Sequence, residues 1–134
     1  MRIRERNRRA KENGCIGEEV GLNILRKIFN SVEFVNKLVD VIADDKNVEV
    51  KTCQEWQSNG NRRCRGRFVL DREQHNKLLK TDGYYLFIVI SKFRYKFFLI
   101  KAKDVLFSYK LNWKRVESFR YELRGSVEYV RQGN

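Results

Sequence analysis

Three charged side chains stand at unexpected places in residues 39–52, VDVIADDKNVEVKT. Val39, Val41, Val48 and Val50 are good strand formers, whereas Asp40, Glu49 and Lys51 are residues that a strand does not need. If residues 38–43 and 47–52 form a hairpin around a tight turn at 44–47, a two- or four-residue loop pairs Ala43 with Val48 and Asp40 with Lys51. Side chains alternate along a strand, so Glu49 shares their face, and Asp40 and Glu49 become diagonal neighbours roughly 5–8 Å apart at Cβ. Two carboxylates at that separation can hold a hard divalent cation, and the carbonyl of Val50 offers a further oxygen. The Lys51 ammonium would then stand near the attacking water and a phosphate oxygen, orienting the one and offsetting charge on the other. Those are the parts of metal-assisted phosphodiester hydrolysis. The plainer reading is a solvent-facing strand whose Glu/Lys pair contributes about 0–1 kcal/mol.

The elements around this stretch must position it. Residues 15–29, CIGEEVGLNILRKIF, predict a helix: at 100° per residue Gly17, Val20, Gly21, Leu22, Ile24, Leu25, Ile28 and Phe29 fill one arc. Glu19, Asn23, Arg26 and Lys27 fall opposite, but Glu18 lands between Leu25 and Ile28, so that carboxylate is either at a buried rim or placed for use. Strands follow at 32–35, 38–43 and 47–52. A polar stretch, 54–67, reads as a loop turning at Asn59-Gly60. Asp71 with Gln74 three residues on is a capping-box pattern opening a helix over 72–80. YYLFIVIS (84–91) has the continuous apolar run of a strand buried on both faces, and RYKFFLIKA (94–102) is another strand. Beyond it the pattern suggests a short helix near 103–108 and a hairpin turning at Arg124-Gly125. The order helix, three strands, helix, strands predicts a mixed α/β domain.

Charge narrows the partner. The 134 residues carry 29 Lys+Arg against 17 Asp+Glu, a net charge of +12, which favours a polyanion such as nucleic acid over an inert surface. Arg2, Arg4, Arg6, Arg8, Arg9 and Lys11 make residues 1–13 a basic arm suited to phosphates. Arg62, Arg63, Arg65 and Arg67 are either a second backbone-gripping group or a solvated loop, and Trp56 either wedges against bases or anchors that loop. No apolar run approaches the ~18 residues of a membrane span, no basic amphipathic helix has a broad apolar face, and the N-terminus lacks the apolar core of a secretory signal. Three widely spaced cysteines argue against a disulfide scaffold and suit a cytoplasmic, nucleoid-associated protein. Cys15, Cys53, Cys64 and His75 lack the close pairing of structural zinc sites, and His75 reads as an exposed helix residue.

Taken together, GEEVGLNILRKIF, VDVIA…VEVKT and GRFVLDREQHNKLLKTDGYYLFIVI resemble the PD-(D/E)XK nuclease superfamily, most of all archaeal Holliday-junction resolvases and small restriction-type endonucleases. The likeness covers roughly residues 17–107. It implies a restriction-endonuclease-like core, a mixed central β-sheet flanked by helices, and Mg²⁺-dependent cleavage of branched or duplex DNA, with Mn²⁺ able to substitute, often by a homodimer. By position, Asp40 and Glu49 resemble the metal-binding acids, Lys51 the catalytic lysine, Glu18 the helix carboxylate near the metals, and Gln74 a glutamine common in the second helix. Val39 stands where the motif's proline would, residues 55–66 are longer than the usual link, and 108–134 have no clear counterpart. The expected division is a basic arm (1–13), a nuclease core (14–107) and a C-terminal extension of the same domain (108–134). A structure-selective endonuclease is the leading reading. The alternatives are a site-specific duplex endonuclease and a non-catalytic nucleic-acid-binding protein on the same fold.

Overall fold

Strands hold the largest share of the described residues. The computed structural model describes residues 17, 19–34 and 40–128. The expected arm at 1–13, with Arg4, Arg6, Arg8 and Arg9, lies outside the described residues, as does Glu18. Helix α1 (19–28) is followed by β1 (Val32–Phe34), β2 (Asp40–Ala43) and β3 (Lys46–Gln54). A hairpin of β4 (Trp56–Asn59) and β5 (Arg62–Arg65), then β6 (Arg67–Val69), lead to α2 (Arg72–Lys80). The remainder is β7 (Tyr84–Ile90), β8 (Arg94–Lys101), a 3₁₀ turn (Ala102–Asp104), β9 (Lys110–Asn112), α3 (Trp113–Val116) and β10 (Leu123–Glu128).

Six strands form one mixed sheet in the order β1-β2-β3-β7-β8-β10. Only β3 and β7 run parallel; the other neighbours are antiparallel. This is the flanked mixed sheet expected of a restriction-endonuclease-like α/β fold. On one face, Ile24 and Leu25 of α1 pack on Val41, Ala43, Val48, Val50, Leu86 and Ile88. Gly21 lets α1 come close, since a Cβ there would sit 3.0 Å from Val50. On the other face, Leu78 of α2 joins Phe68, Tyr85, Phe87, Phe98, Ile100 and Trp113. Burying each large apolar side chain contributes about 1.5–3 kcal/mol, so both faces of β7 are strongly held.

Three expectations need correction. The β2–β3 loop is two residues long, Asp44 and Asp45, with φ of 47° and 68°, the signs of a type I′ turn. Asp44 earns its place by accepting backbone N–H bonds from Asn30 (3.2 Å) and Ser31 (2.8 Å). The shorter loop pairs Ala43 with Lys46 and Asp40 with Glu49 rather than with Lys51. The slip is two residues, so every side chain keeps its face. Second, residues 56–65 are a hairpin rather than a loop: β4 and β5 pair around Gly60. Third, the helix expected near 103–108 is a single 3₁₀ turn, and Arg124 and Gly125 do not turn but lie within β10, paired with Phe98 and Phe97 of β8.

The β4–β5 hairpin leaves the body at Gly66, whose N–H bonds the carbonyl of Glu55 (3.1 Å). A Cβ at Gly66 would overlap the backbone carbonyl of Gln54, the last residue of β3. Backbone cannot yield as a flexible side chain does. Gly66→Ala is expected to cost about 2–4 kcal/mol, read as a fall of roughly 10 °C in melting temperature, with an unchanged melting temperature counting against this packing.

Candidate active site

Glu49 is the charged group the fold treats most unusually. It lies mid-strand in β3 and is 2% exposed. A carboxylate taken out of water needs compensation, because an unpaired buried charge costs several kcal/mol. Lys51, two residues on and therefore on the same face, brings its Nζ to 3.7 Å from Glu49 Oε1. The same ammonium donates to Gln74 Oε1 at 3.4 Å. Directly opposed strand positions have Cβ atoms about 4.5–5.5 Å apart, so the register sets position 40 closer to Glu49 than the diagonal arrangement would.

Helix α2 forms the wall of the site. Asp71 caps it, accepting from the backbone N–H of Gln74 (3.3 Å), as the capping pattern predicts. The Gln74 carboxamide oxygen accepts from Lys51. Farther along, Asn47 Nδ2 donates to Thr81 Oγ1 (3.1 Å), and Lys46 pairs with Asp82 (3.2 Å), so α2 is tied along the length of β3. Between them lies a small cleft lined by Asn47, Glu49, Gln74, Lys77 and Leu78.

His75 is not the exposed residue expected of its helix position. It is 4% exposed, its Nδ1 lies 2.9 Å from the Tyr85 hydroxyl, and its ring stacks on Tyr85. The reason is the face of α2 it occupies, one residue past Gln74 and three before Leu78, turned onto the sheet. Burial lowers the His75 pKa, and the neighbouring Arg72 charge lowers it further. Tyr85 pairs with Glu49 across β3–β7; burial raises its pKa, helped by the Glu49 and Asp71 charges. No sequence pattern points to Tyr85 as a neighbour of Glu49, because that contact depends on a parallel register between distant strands.

The structure thus brings Glu49, Lys51 and Gln74 into contact and sets the backbone of Asp40 across from Glu49. Val50 turns its side chain into the opposite core, against α1. Arg62, Arg63 and Arg65 lie on the hairpin and Arg67 on β6, all exposed. Cys53 is buried and its thiol pKa raised by that burial, while Cys64 is half-buried on the hairpin. Among the described residues no three His, Cys, Asp or Glu side chains converge as a metal cluster. The donors at hand are carboxylate oxygens, with Glu49 buried in the sheet and position 40 directly opposite; that set fits a hard divalent cation rather than zinc. No described helix is long and apolar enough to cross a membrane.

A family model described as a PD-(D/E)XK nuclease superfamily domain matches residues 5–128, and so spans nearly the whole chain, including residues 108–128. Comparison with curated proteins and with solved structures gave no significant match.

His75 is the chain's only histidine, which makes its linkage to stability readable. Its folded pKa lies below the ordinary 6.5, so the unfolded chain takes up a proton that the folded one refuses. This contribution is complete above about pH 6.5 and is lost as pH falls toward the folded value. Urea midpoints are expected to fall between pH 7 and 6 in the wild type and to stay flatter in His75→Phe; parallel profiles would refute the assignment.

Proposed function

As the chain belongs to the PD-(D/E)XK nuclease superfamily, we propose that it is a metal-dependent endonuclease hydrolysing phosphodiester bonds of DNA, with branched junctions as its preferred substrate. The observation that carries the proposal is the register pairing Asp40 with Glu49 on the face where Lys51 reaches both Glu49 and Gln74. A decorated surface strand would leave Glu49 in water. Here it is buried where only a cation, from the protein or from solution, balances it. The preference for junctions rests on the likeness of residues 17–107 to Holliday-junction resolvases. A four-way junction is two-fold symmetric, so paired incisions call for a homodimer.

Asp40, Glu49 and the Val50 carbonyl would hold Mg²⁺, with Mn²⁺ as a substitute. When bound, such an ion supplies a Lewis acid at the scissile phosphate. The chain's own groups do the rest. Lys51 orients the attacking water and offsets negative charge developing on the phosphate. Gln74 holds the Lys51 ammonium through its carboxamide oxygen, restricting a side chain that otherwise has about 2 kcal/mol of rotamer freedom. The wall of α2 keeps bulk water from Glu49. Glu18 would share the acidic set from α1, and the arginines at 4, 6, 8 and 9 would grip the backbone.

Asp40→Asn, Glu49→Gln and Lys51→Met are each expected to lower cleavage at least about 10²-fold while leaving metal-free DNA affinity within about threefold. Glu49→Gln with wild-type activity would defeat the assignment. Gln74→Ala should be milder, roughly 10-fold, because it loosens Lys51 without removing it. Four-way junction, random duplex and single strand, each with Mg²⁺ and with Mn²⁺, decide the substrate. Cleavage confined to one duplex sequence overturns the junction reading, and no cleavage on any substrate leaves a binding protein on this fold.

A further inference from the structure

The β4–β5 hairpin is a two-stranded ribbon outside the main sheet and takes no part in the site just described. It begins two residues after the end of β3, so it prolongs the strand that carries Glu49 and Lys51. Trp56, Gln57, Ser58, Gly60, Asn61, Arg62, Arg63 and Arg65 are all exposed. Such a ribbon buries almost nothing of its own, and an isolated two-stranded hairpin is marginal in water. Something must hold it. The Arg65 guanidinium is near two indoles, 5.7 Å from the Trp56 ring and 6.0 Å from that of Trp113. Trp113 is itself buried and donates its Nε1–H to the Glu55 carbonyl at 2.8 Å. The base of the ribbon is therefore fixed, while Arg63 stacks on the outer Trp56 at 4.9 Å.

The residue types beyond this anchor are selective. Residues 56–65, WQSNGNRRCR, contain no carboxylate and no lysine; their polar side chains are amides, one hydroxyl and guanidiniums. Arginine serves phosphates as well as base edges, so the amides are the more telling side chains here. Asn and Gln are the side chains that pair bidentately with adenine, and Arg or Lys pairs with the O6 and N7 edge of guanine. B-DNA's major groove, about 12 Å wide, admits a two-stranded ribbon.

We infer that the β4–β5 ribbon is a base-reading element that enters the major groove of duplex DNA beside the cleavage site, with Arg62 contacting guanine from the face it shares with Gln57, and with Arg63 and Arg65, on the opposite face with Trp56, serving as its anchor. This rests on the nuclease reading for the meaning of "cleavage site" but not for the DNA contact itself. At ~3.3 Å per residue, the reading positions lie at most about 30 Å from Lys51. That is within roughly one turn of duplex.

Binding-site selection from a random duplex pool in EDTA tests this without any cleavage, so an inactive nuclease does not confound it. Wild-type protein should enrich a motif containing guanine, and methylation of guanine N7 within it should weaken binding at least fivefold. Arg62→Ala should abolish the preference at the guanine while leaving non-specific affinity within about threefold, and Arg63→Lys, on the opposite face, should keep the motif. Because a base contact neutralises no phosphate, Arg62→Ala should leave the log–log salt slope nearly unchanged, whereas a phosphate contact would flatten it by roughly 1. The inference falls if wild type enriches no motif, if N7 methylation has no effect, or if the Arg62→Ala protein keeps the motif. In any of those outcomes the ribbon is a phosphate grip only. Should selection succeed and neither the junction panel nor a duplex carrying the selected motif be cleaved with Mg²⁺ or Mn²⁺, the base reading stands and the nuclease reading falls.

Discussion

The pairing of β2 with β3 is the constraint on which the site depends. A slip of one residue would carry Asp40 to the α1 face and drive Val41 out of its core. Several independent features oppose such a slip. Val41, Ala43, Val48 and Val50 are all buried against α1, and the Asp44–Asp45 turn admits only a two-residue loop. Asp44 also closes the link between α1 and β1 through Asn30 and Ser31. The acidic face is thus fixed by what its opposite face packs against. The site follows from the core, not from contacts made for its own sake.

Electrostatics then sets the cost of the arrangement. A carboxylate as buried as Glu49 is expensive unless opposite charge and hydrogen bonds accompany it. Lys51 supplies part of that compensation and is itself held by Gln74, which belongs to a different element. Helix α2 keeps Gln74 in place through ties at both ends and through His75, wedged against Tyr85 beneath it. A histidine buried in this way is neutral, so α2 rests on the sheet without adding a second buried charge beside Glu49. The sheet, the helix and the acid–lysine pair are one mechanical unit.

Much of this was readable in the chain itself. The 3.6-residue arc of α1 reappears residue by residue: Ile24 and Leu25 are buried, Val20, Leu22, Ile28 and Phe29 half-buried, and Glu19, Asn23, Arg26 and Lys27 exposed. The Asp71 cap, the span of α2 and the buried run of β7 were legible for the same local reasons. What escaped was set by long-range pairing. Two aspartates in left-handed conformation look like any polar turn, so the loop reads two residues too long and the register shifts. Residues 56–65 alternate no apolar side chains, because both faces of that hairpin meet water, and so carry no strand signal. His75 is buried by a helix face that an exposed Leu79 and a polar neighbourhood obscure. The final strand, β10, is exposed along nearly its whole length and owes its form to β8 rather than to its own sequence.

The parallel pairing of β3 with β7 has a consequence for when the molecule comes alive. Residues 55–83 separate the two strands, and a pairing that spans so much chain is slow to form and can form only after β7 has been synthesised. Until then β3 lacks its inner neighbour, Glu49 lacks the wall that Tyr85 and α2 provide, and no face is closed to solvent. A growing polypeptide on the ribosome therefore carries Asp40, Glu49 and Lys51 as ordinary solvated charges. They come together only as the core is buried, so a half-made or half-degraded copy has not assembled the candidate site.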